Sequence, residues 1–243
     1  MKLAVVLPVY NEKPNLERLL IRIANFLRSI EYDFHILIVD DGSSDGSLAI
    51  AEHCSQFLPI TIIKHDTNLG LGRAILTGLT AGAEVADYVV TMDADDSHDP
   101  SLIPDMICGL DSGADVVIAS RFQKNSKVVG LSVYRRLLTC VSSKTLSIVF
   151  PFANVRDYSS GYRAYKSSIL KQLQSKYGQT FVKESGFACM LEILLKLRSS
   201  NVKVSEVPMV LHYERKLGRS KMRVLNTVAR YAAVVYHTAN VSG

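Results

Sequence analysis

Leu3-Ala4-Val5-Val6-Leu7-Pro8-Val9-Tyr10-Asn11-Glu12-Lys13-Pro14 is the stretch on which the fold turns. Its first seven residues form a continuous apolar run rich in β-branched side chains. Such a run reads as a strand buried on both faces, the setting of a central strand in a parallel sheet. Pro8 has no N–H to give a neighbouring strand and is expected to end this one. From Pro14 to about Ser29, Leu16, Leu19, Leu20, Ile23 and Leu27 recur at helical spacing, with Pro14 tolerated in the first turn. An amphipathic helix therefore follows the strand.

Outward from this unit the same alternation repeats. Strands are expected at His35–Val39, Ile60–Lys64, Tyr88–Met92 and Asp115–Ser120, and helices at Ser47–Gln56, Arg73–Gly82 and Leu102–Leu110. Strands and helices alternating through short links make an α/β fold, a mostly parallel sheet with flanking helices in a single domain. Past Arg121 the expected order is a helix at about Ser132–Phe150, a polar link, a helix around Gly186–Arg198 and a strand at Val202–Val207. Met222–His237 then sets Val224, Leu225, Val228, Tyr231, Ala232 and Val235 on one face, with Arg223 and Arg230 beside it. That stripe fits either core packing or an anionic membrane surface.

The chain has 243 residues, 48% hydrophobic and 21% charged, which excludes a disordered tail protein and allows a substantial core. No apolar run approaches the ~20 residues that cross a bilayer. The opening is too short and too early broken by Pro8 for a secretory signal, so the expected location is the cytosol. Four cysteines, Cys54, Cys108, Cys140 and Cys189, lack the spacing of a disulfide framework or a zinc site and are expected to be small core residues.

The net charge of +5 conceals a division: residues 1–115 hold 18 acidic and 7 basic side chains, and residues 116–243 hold 5 acidic and 21 basic. From Val116 to Arg156 there are seven bases and no acid, and from Arg215 to Gly243 six bases and no acid. One half suits a cation, the other an anion. The bases are not interleaved with aromatics that could stack on nucleobases, so no nucleic-acid partner is expected. A phosphate-bearing substrate fits better.

Ligands of open α/β sheets bind beyond the carboxyl ends of the strands. The residues at those ends here are Tyr10-Asn11-Glu12, Asp40-Asp41-Gly42-Ser43, His65-Asp66-Thr67-Asn68, Asp93-Ala94-Asp95-Asp96-Ser97-His98 and Arg121. Asp93 and Asp95 can both reach a divalent cation, because Mg²⁺ or Mn²⁺ takes one or two carboxylates together with substrate phosphate oxygens. An isolated Asp-x-Asp is more often a solvated turn; its place after an apolar strand, in the ligand crevice, favours the cation. Asp41 is suited to accept from a nucleobase N–H or a ribose hydroxyl, while Asp45 or Ser47 caps the next helix. Asn68-Leu69-Gly70-Leu71-Gly72 lacks the dinucleotide fingerprint spacing and reads as a tight turn into a helix.

Eight ordered motifs from Lys2 to about Arg223 resemble the family 2 glycosyltransferases of the GT-A fold, and within them the polyprenyl-phosphate (dolichyl-phosphate) mannose synthases. They are Pro8-Val9-Tyr10-Asn11-Glu12, Val39-Asp40-Asp41-Gly42-Ser43, Asn68-Leu69-Gly70-Leu71-Gly72, Met92-Asp93-Ala94-Asp95, Ser120-Arg121-Phe122, Asp157-Tyr158-Ser159-Ser160-Gly161-Tyr162-Arg163, Glu206-Val207-Pro208 and Gly218-Arg219-Ser220-Lys221. The resemblance implies an inverting, metal-dependent transfer of a hexose, most simply mannose from GDP-mannose, onto a dolichyl or polyprenyl phosphate. It implies a donor nucleotide held by Pro8, Tyr10, Glu12, Val39 and Asp41, with Asp93, Ala94 and Asp95 at the Mg²⁺ or Mn²⁺ and the diphosphate. Ser97 stands where the synthases commonly carry a Gln that can help hold the metal, a departure from their pattern. Arg121 and Arg135 match positions that grip the acceptor phosphate, and Arg215 and Lys221 match positions that close over the donor phosphates.

The implied organisation is a catalytic domain over 1–221, with a nucleotide- and metal-binding half (1–120) and an acceptor half (121–221), followed by a C-terminal amphipathic helix (222–243). A lipid acceptor implies peripheral contact with the cytosolic face of a membrane, directly or through a membrane-anchoring partner protein. A lipid monophosphate needs no general base. Asp157 is the candidate base for a hydroxyl acceptor, unless it forms an ion pair with Arg156 or Arg163. Two alternatives stay open: another donor sugar, such as glucose from UDP-glucose, passed to the lipid or to a glycan hydroxyl, and a subunit that binds nucleotide sugar without turnover.

Overall fold

In the computed structural model of the chain, the described residues are 1–218, Thr227, Arg230, Tyr231, Ala233 and Val234, with 133–138 described by backbone alone. β1 (Lys2–Val9) lies at the centre, parallel to β2 (Asp33–Asp40) on one side and to β4 (Tyr88–Thr91) on the other; β3 (Ile60–Lys64) extends the sheet beyond β2. β1 runs through Pro8, which sits opposite Val39 in the register, instead of ending there. The missing N–H falls at the last-but-one position, where the ladder is about to end anyway.

Alternate residues of β1 serve two cores. Leu3, Val5, Leu7 and Val9 face α1 (Lys13–Ser29), α2 (Ser47–Ser55) and α4 (Ile103–Asp111), whereas Ala4 and Val6 face α3 (Leu71–Val85), α6 (Ser167–Tyr177) and α7 (Cys189–Arg198). The strict period of two explains why an unbroken apolar run was required there. The α1 residues Leu16, Leu19, Leu20, Ile23 and Leu27 are all fully buried, each contributing roughly 1.5–3 kcal/mol of transfer free energy. α3 approaches β1 through its glycines: a Cβ on Gly78 would come 2.2 Å from the Val6 Cγ1 atom.

The segment expected to be a polar link after α5 (Val133–Val149) instead contains β7 (Arg163–Lys166) and α6. β7 runs antiparallel between β4 and β5 (Val116–Ser120), and β8 (Val204–Pro208) pairs parallel with β5 at the far edge. Among the described residues the main sheet has seven strands in the order β3-β2-β1-β4-β7-β5-β8, mostly parallel as the sequence pattern required. β6 (Lys127–Val129) and β9 (Val210–His212) form a separate parallel pair that the periodicity did not announce. Cys54 and Cys189 are buried as expected, but Cys108 and Cys140 are exposed on the outer faces of α4 and α5. Most of the Met222–His237 stripe lies outside the described residues; Tyr231 and Val234 pack against the second core. Among the described residues no helix is long and apolar enough to cross a membrane.

Candidate functional site

From β1 the chain builds outward to β2 and β3 and then returns to the other side of β1 as β4, so the strand order switches between β1 and β4. Connections leaving the carboxyl ends of these two strands diverge and open a crevice. A cavity of about 520 Å³ occupies it. Pro8, Tyr10, Glu12, Asp41, Asp93, Ala94, Asp95, Ser97 and Arg121 all line this one cavity. Val39 lies beneath the floor, fully buried, with its side chain packed toward Gly78 of α3. Arg215 is turned away onto Asp99, at 3.0 Å, and is absent from the lining. The Arg135 side chain and Lys221 lie outside the described residues.

At the β2 end, Asp41 is buried and heavily engaged. Its Oδ1 accepts from Leu69 N (2.9 Å) and faces His65 Nδ1 (2.7 Å), and its Oδ2 accepts from Gly70 N (2.8 Å). The carboxylate thus shapes the Asn68–Gly72 turn before it meets any ligand. Gly70 is required in that turn: its φ is +92° and a Cβ would lie 2.5 Å from the Ser185 carbonyl oxygen. Asp45 accepts from Ser47 N and Oγ (2.9 and 2.5 Å), tightening the turn that leads into α2, but the cap position itself is held by Gly46 at φ +93° with no side-chain bond, so neither Asp45 nor Ser47 caps the helix as expected.

At the β4 end, the side chain of Asp93 opens into the cavity. Cavity walls and the like charge of Asp95 hold its carboxyl above the usual range. His98 is buried, stacks on Tyr162 at 4.8 Å and accepts from Asp93 N through Nδ1 (3.1 Å). That bond leaves the neutral ring's proton on Nε2, 3.9 Å from Asp93 Oδ2. Asp95 is buried too. Burial opposes its ionisation, but the Lys216 ammonium at 2.6 Å from Oδ2 and the Ser97 hydroxyl at 2.6 Å from Oδ1 outweigh that and hold its carboxyl below the usual range. Ser97 therefore spends its hydroxyl on orienting Asp95. Asp96 turns the other way and binds Arg18 (2.6 Å) and Arg22 of α1, fixing the loop to the first helix.

Among the described residues no group of three or more His, Cys, Asp or Glu side chains is arranged to hold a metal. Two carboxylates with a lysine ammonium already seated on one of them are nonetheless a fit for a hard cation that takes its remaining ligands from substrate phosphates and water.

At the β5 end, Arg121 forms a two-pronged pair with Asp157, Nε to Oδ2 at 2.8 Å and Nη2 to Oδ1 at 2.7 Å, and Nη2 also donates to Ser159 Oγ at 2.7 Å. This corrects the sequence expectation: the partner of Asp157 is neither Arg156 nor Arg163. Asp157 is fully buried and also accepts from the backbone N–H groups of Arg121, Ser159 and Ser160 (3.0, 3.2 and 3.1 Å). Although burial works against it, Arg121 and these donors hold its carboxyl below the usual range, so it is unsuited to take a proton as a general base. Among the described residues, three of the five guanidinium donors of Arg121, the one on Nε and the two on Nη2, are engaged by Asp157 and Ser159, and the residue lines the cavity. Arg163 is fully buried and donates to the carbonyls of Tyr158, Ser160 and Met190, a wholly structural use.

Three basic side chains of the cavity were given no role in the site by the sequence reading. Lys216 sits beside the expected Arg215 in the acid-free terminal stretch. His98 lay within the acidic motif without an assigned role. Arg230 of the terminal segment reaches Glu184 (2.9 Å) and Ser185 (3.3 Å) at the opposite wall. The charge pattern marked the stretches of Lys216 and Arg230 but not which of their bases turn inward.

Comparison with known proteins places these features in context. The chain matches Glycosyl transferase family 2 over residues 4–174. It is 32% identical over 244 residues to the dolichol-phosphate mannosyltransferase of Pyrococcus furiosus, the alignment covering 100% of this chain and 65% of that protein. It is 31% identical over 221 residues to the polyprenol monophosphomannose synthase of Mycolicibacterium smegmatis, covering 90% of this chain and 80% of that one. Among solved structures, glucosyl-3-phosphoglycerate synthase of Mycobacterium tuberculosis in complex with Mn²⁺, UDP and glucosyl-3-phosphoglycerate superposes with a TM-score of 0.72. That match covers 98% of this chain and 79% of the other at 18% identity, a likeness of fold. The same enzyme with Mg²⁺ and UDP gives a TM-score of 0.71.

Proposed function

This chain belongs to glycosyl transferase family 2, and from that premise we propose that it transfers mannose from GDP-mannose to a dolichyl or polyprenyl phosphate, with inversion at the anomeric carbon. The observation that carries the reading is the cavity itself. A carboxylate pair, Asp93 and Asp95, faces it from the end of β4, and a guanidinium held in place by Asp157, that of Arg121, lines it from the end of β5. The names of the two curated relatives supply the sugar and the lipid class.

In this reading the donor nucleotide lies along the carboxyl ends of β1, β2 and β4, against Pro8, Tyr10, Glu12 and Asp41 in residues 1–120. Asp93 and Asp95, with Ser97 orienting Asp95, hold a divalent cation. When bound, that ion neutralises charge developing on the departing diphosphate. Arg121, held rigid by Asp157 and Ser159, presents its guanidinium to the acceptor phosphate and aligns the phosphate oxygen for attack, assisted by Arg135 from the 121–221 half. Bidentate pairing to Asp157 fixes the guanidinium plane, so little entropy is lost when the phosphate arrives. A lipid monophosphate has a second pKa near about 6 and arrives as an anionic nucleophile. No base is needed, in keeping with an Asp157 whose acceptor capacity is already spent. Arg215 and Lys221 would close over the donor phosphates only after a change from the arrangement in which Arg215 binds Asp99. The lipid acceptor brings the protein to the cytosolic face of a membrane as a peripheral enzyme, alone or on an anchoring partner.

Calorimetric titration of GDP and of UDP, each with and without Mn²⁺, tests the donor assignment. Metal-dependent binding of GDP in preference to UDP is expected. Preference for UDP would replace mannose with a glucosyl-type donor.

A further inference from the structure

Lys216 is the one cation placed directly on the carboxylate pair among the described residues. Its Nζ lies 2.6 Å from Asp95 Oδ2, and both side chains are nearly closed to solvent, at 11% and 10% exposure. The other oxygen of Asp95 is taken by Ser97, whose N–H and hydroxyl both donate to Oδ1 (3.1 and 2.6 Å). Oδ2 is thus the face of Asp95 left for a cation, and the ammonium occupies it.

The backbone on either side of Lys216 is fastened down. Leu217 exchanges two hydrogen bonds with the buried Asn15 side chain of α1, its N–H to Oδ1 at 2.8 Å and its carbonyl from Nδ2 at 3.0 Å. The carbonyl of Arg215 accepts from Arg18 Nη2 at 2.6 Å, and the Arg215 guanidinium holds Asp99 at 3.0 Å. Adjacent residues of the short turn Tyr213–Arg215 and its exit point in different directions, which is why Arg215 leaves the cavity while Lys216 enters it. With the backbone clamped, the four-carbon lysine stem is the part free to move.

We infer that Lys216 is a tethered counter-ion for Asp95 that a divalent cation must displace, and that the displaced ammonium then moves to the diphosphate of the nucleotide. The inference rests on the donor-site reading above. Two cations cannot share Asp95 Oδ2 without strong repulsion, because like charges a few ångströms apart in a shielded cavity repel far more than in water. A bare metal ion therefore gains Asp95 only by stripping the lysine of its partner. A nucleoside diphosphate in the same cavity offers the ammonium a new anionic partner and removes that penalty. Metal and nucleotide consequently bind with positive coupling, and by linkage each tightens the other by the same factor. Lys216 is a residue that positions charge, suppressing metal capture in the absence of donor.

The test is a titration of the full chain with Mn²⁺, followed by the electron paramagnetic resonance signal of the free ion, with and without GDP. Wild type should bind Mn²⁺ weakly alone and on the order of tenfold or more tighter with GDP. Lys216→Met, which keeps the stem and removes the charge, should bind Mn²⁺ alone roughly tenfold tighter than wild type and show a reduced gain from GDP. Lys216→Arg keeps a cation and should stay close to wild type. A Lys216→Met protein that is folded by circular dichroism and binds Mn²⁺ no tighter than wild type overturns the inference. So does wild-type Mn²⁺ affinity that GDP leaves unchanged, a result that needs no variant. Asp95→Asn separates the two claims. If it leaves Mn²⁺ binding intact, the ion is elsewhere and the donor-site reading itself fails, whereas weakened Mn²⁺ binding with an indifferent Lys216→Met removes the lysine's role alone.

Discussion

Asp157 gives every acceptor position it has to Arg121 and to the turn that follows it, and this decides what both residues can do. Removing one member of a buried ion pair leaves the other charge uncompensated, which typically costs about 3–5 kcal/mol. Asp157→Asn is therefore expected to lower the unfolding free energy by that order, read from urea denaturation. The pH dependence follows from the direction of the shift. The folded carboxyl lies below its unfolded value of about 3.9, so its stabilising contribution is complete above that pH and is lost as pH falls through the folded value. The gap in urea midpoint between wild type and Asp157→Asn should stay constant near neutrality and narrow below about pH 4. At this scale the sequence located side chains well wherever a strand end fixed them, as for Asp41, Asp93, Asp95 and Arg121. It could not say which way neighbours in an irregular turn would point. Arg215 and Lys216 differ by one position and end on different aspartates, Asp99 and Asp95, because no periodicity governs that turn.

The helices and strands of the first half were legible because their burial is periodic. β1 serves two cores in strict alternation, and α1 shows one continuous apolar face. β7 was not legible. It is four residues long, begins with Arg163 and ends with Lys166, and Arg163 is buried through carbonyl contacts that no hydropathy pattern reveals. α6 followed the missed strand, and its Leu170 and Leu173 were too few, apart from that context, to separate it from a polar link. The packing of α3 on β1 makes a prediction at this level. Alanine has the better helix propensity by about 1 kcal/mol, but a Cβ at position 78 would press to 2.2 Å from Val6. Gly78→Ala is expected to destabilise by about 1–3 kcal/mol net, seen as a lower midpoint of thermal or urea unfolding. A gain in stability would mean that α3 can lift from the sheet at little cost.

Over the whole molecule, the division of charge noted in the sequence is folded into one cavity with walls of opposite sign. Carboxylates come from the ends of β1, β2 and β4, and cationic groups from Arg121, Lys216 and Arg230. A cavity lined in this way concentrates a polyanionic ligand and its counter-cation together. Nucleotide affinity should therefore fall as ionic strength rises, over the range in which the screening length shortens from about 30 Å to about 8 Å. An affinity indifferent to salt would argue against a phosphate-centred site. The sequence had disclosed the opposition of charge but not its convergence, since that depends on β7 and β8 joining the first half's sheet. The central claim is the joining of mannose to a lipid phosphate. Its most direct test is incubation of the protein with radiolabelled GDP-mannose, Mn²⁺ and polyprenyl phosphate in detergent, with label counted in the organic phase. Organic-soluble, acid-labile mannose that is absent from reactions lacking the lipid, and reduced at least about 100-fold in a folded Asp95→Asn protein, is the expected result. Label that stays in the aqueous phase with wild-type protein, while a sugar hydroxyl acceptor becomes mannosylated, would contradict it.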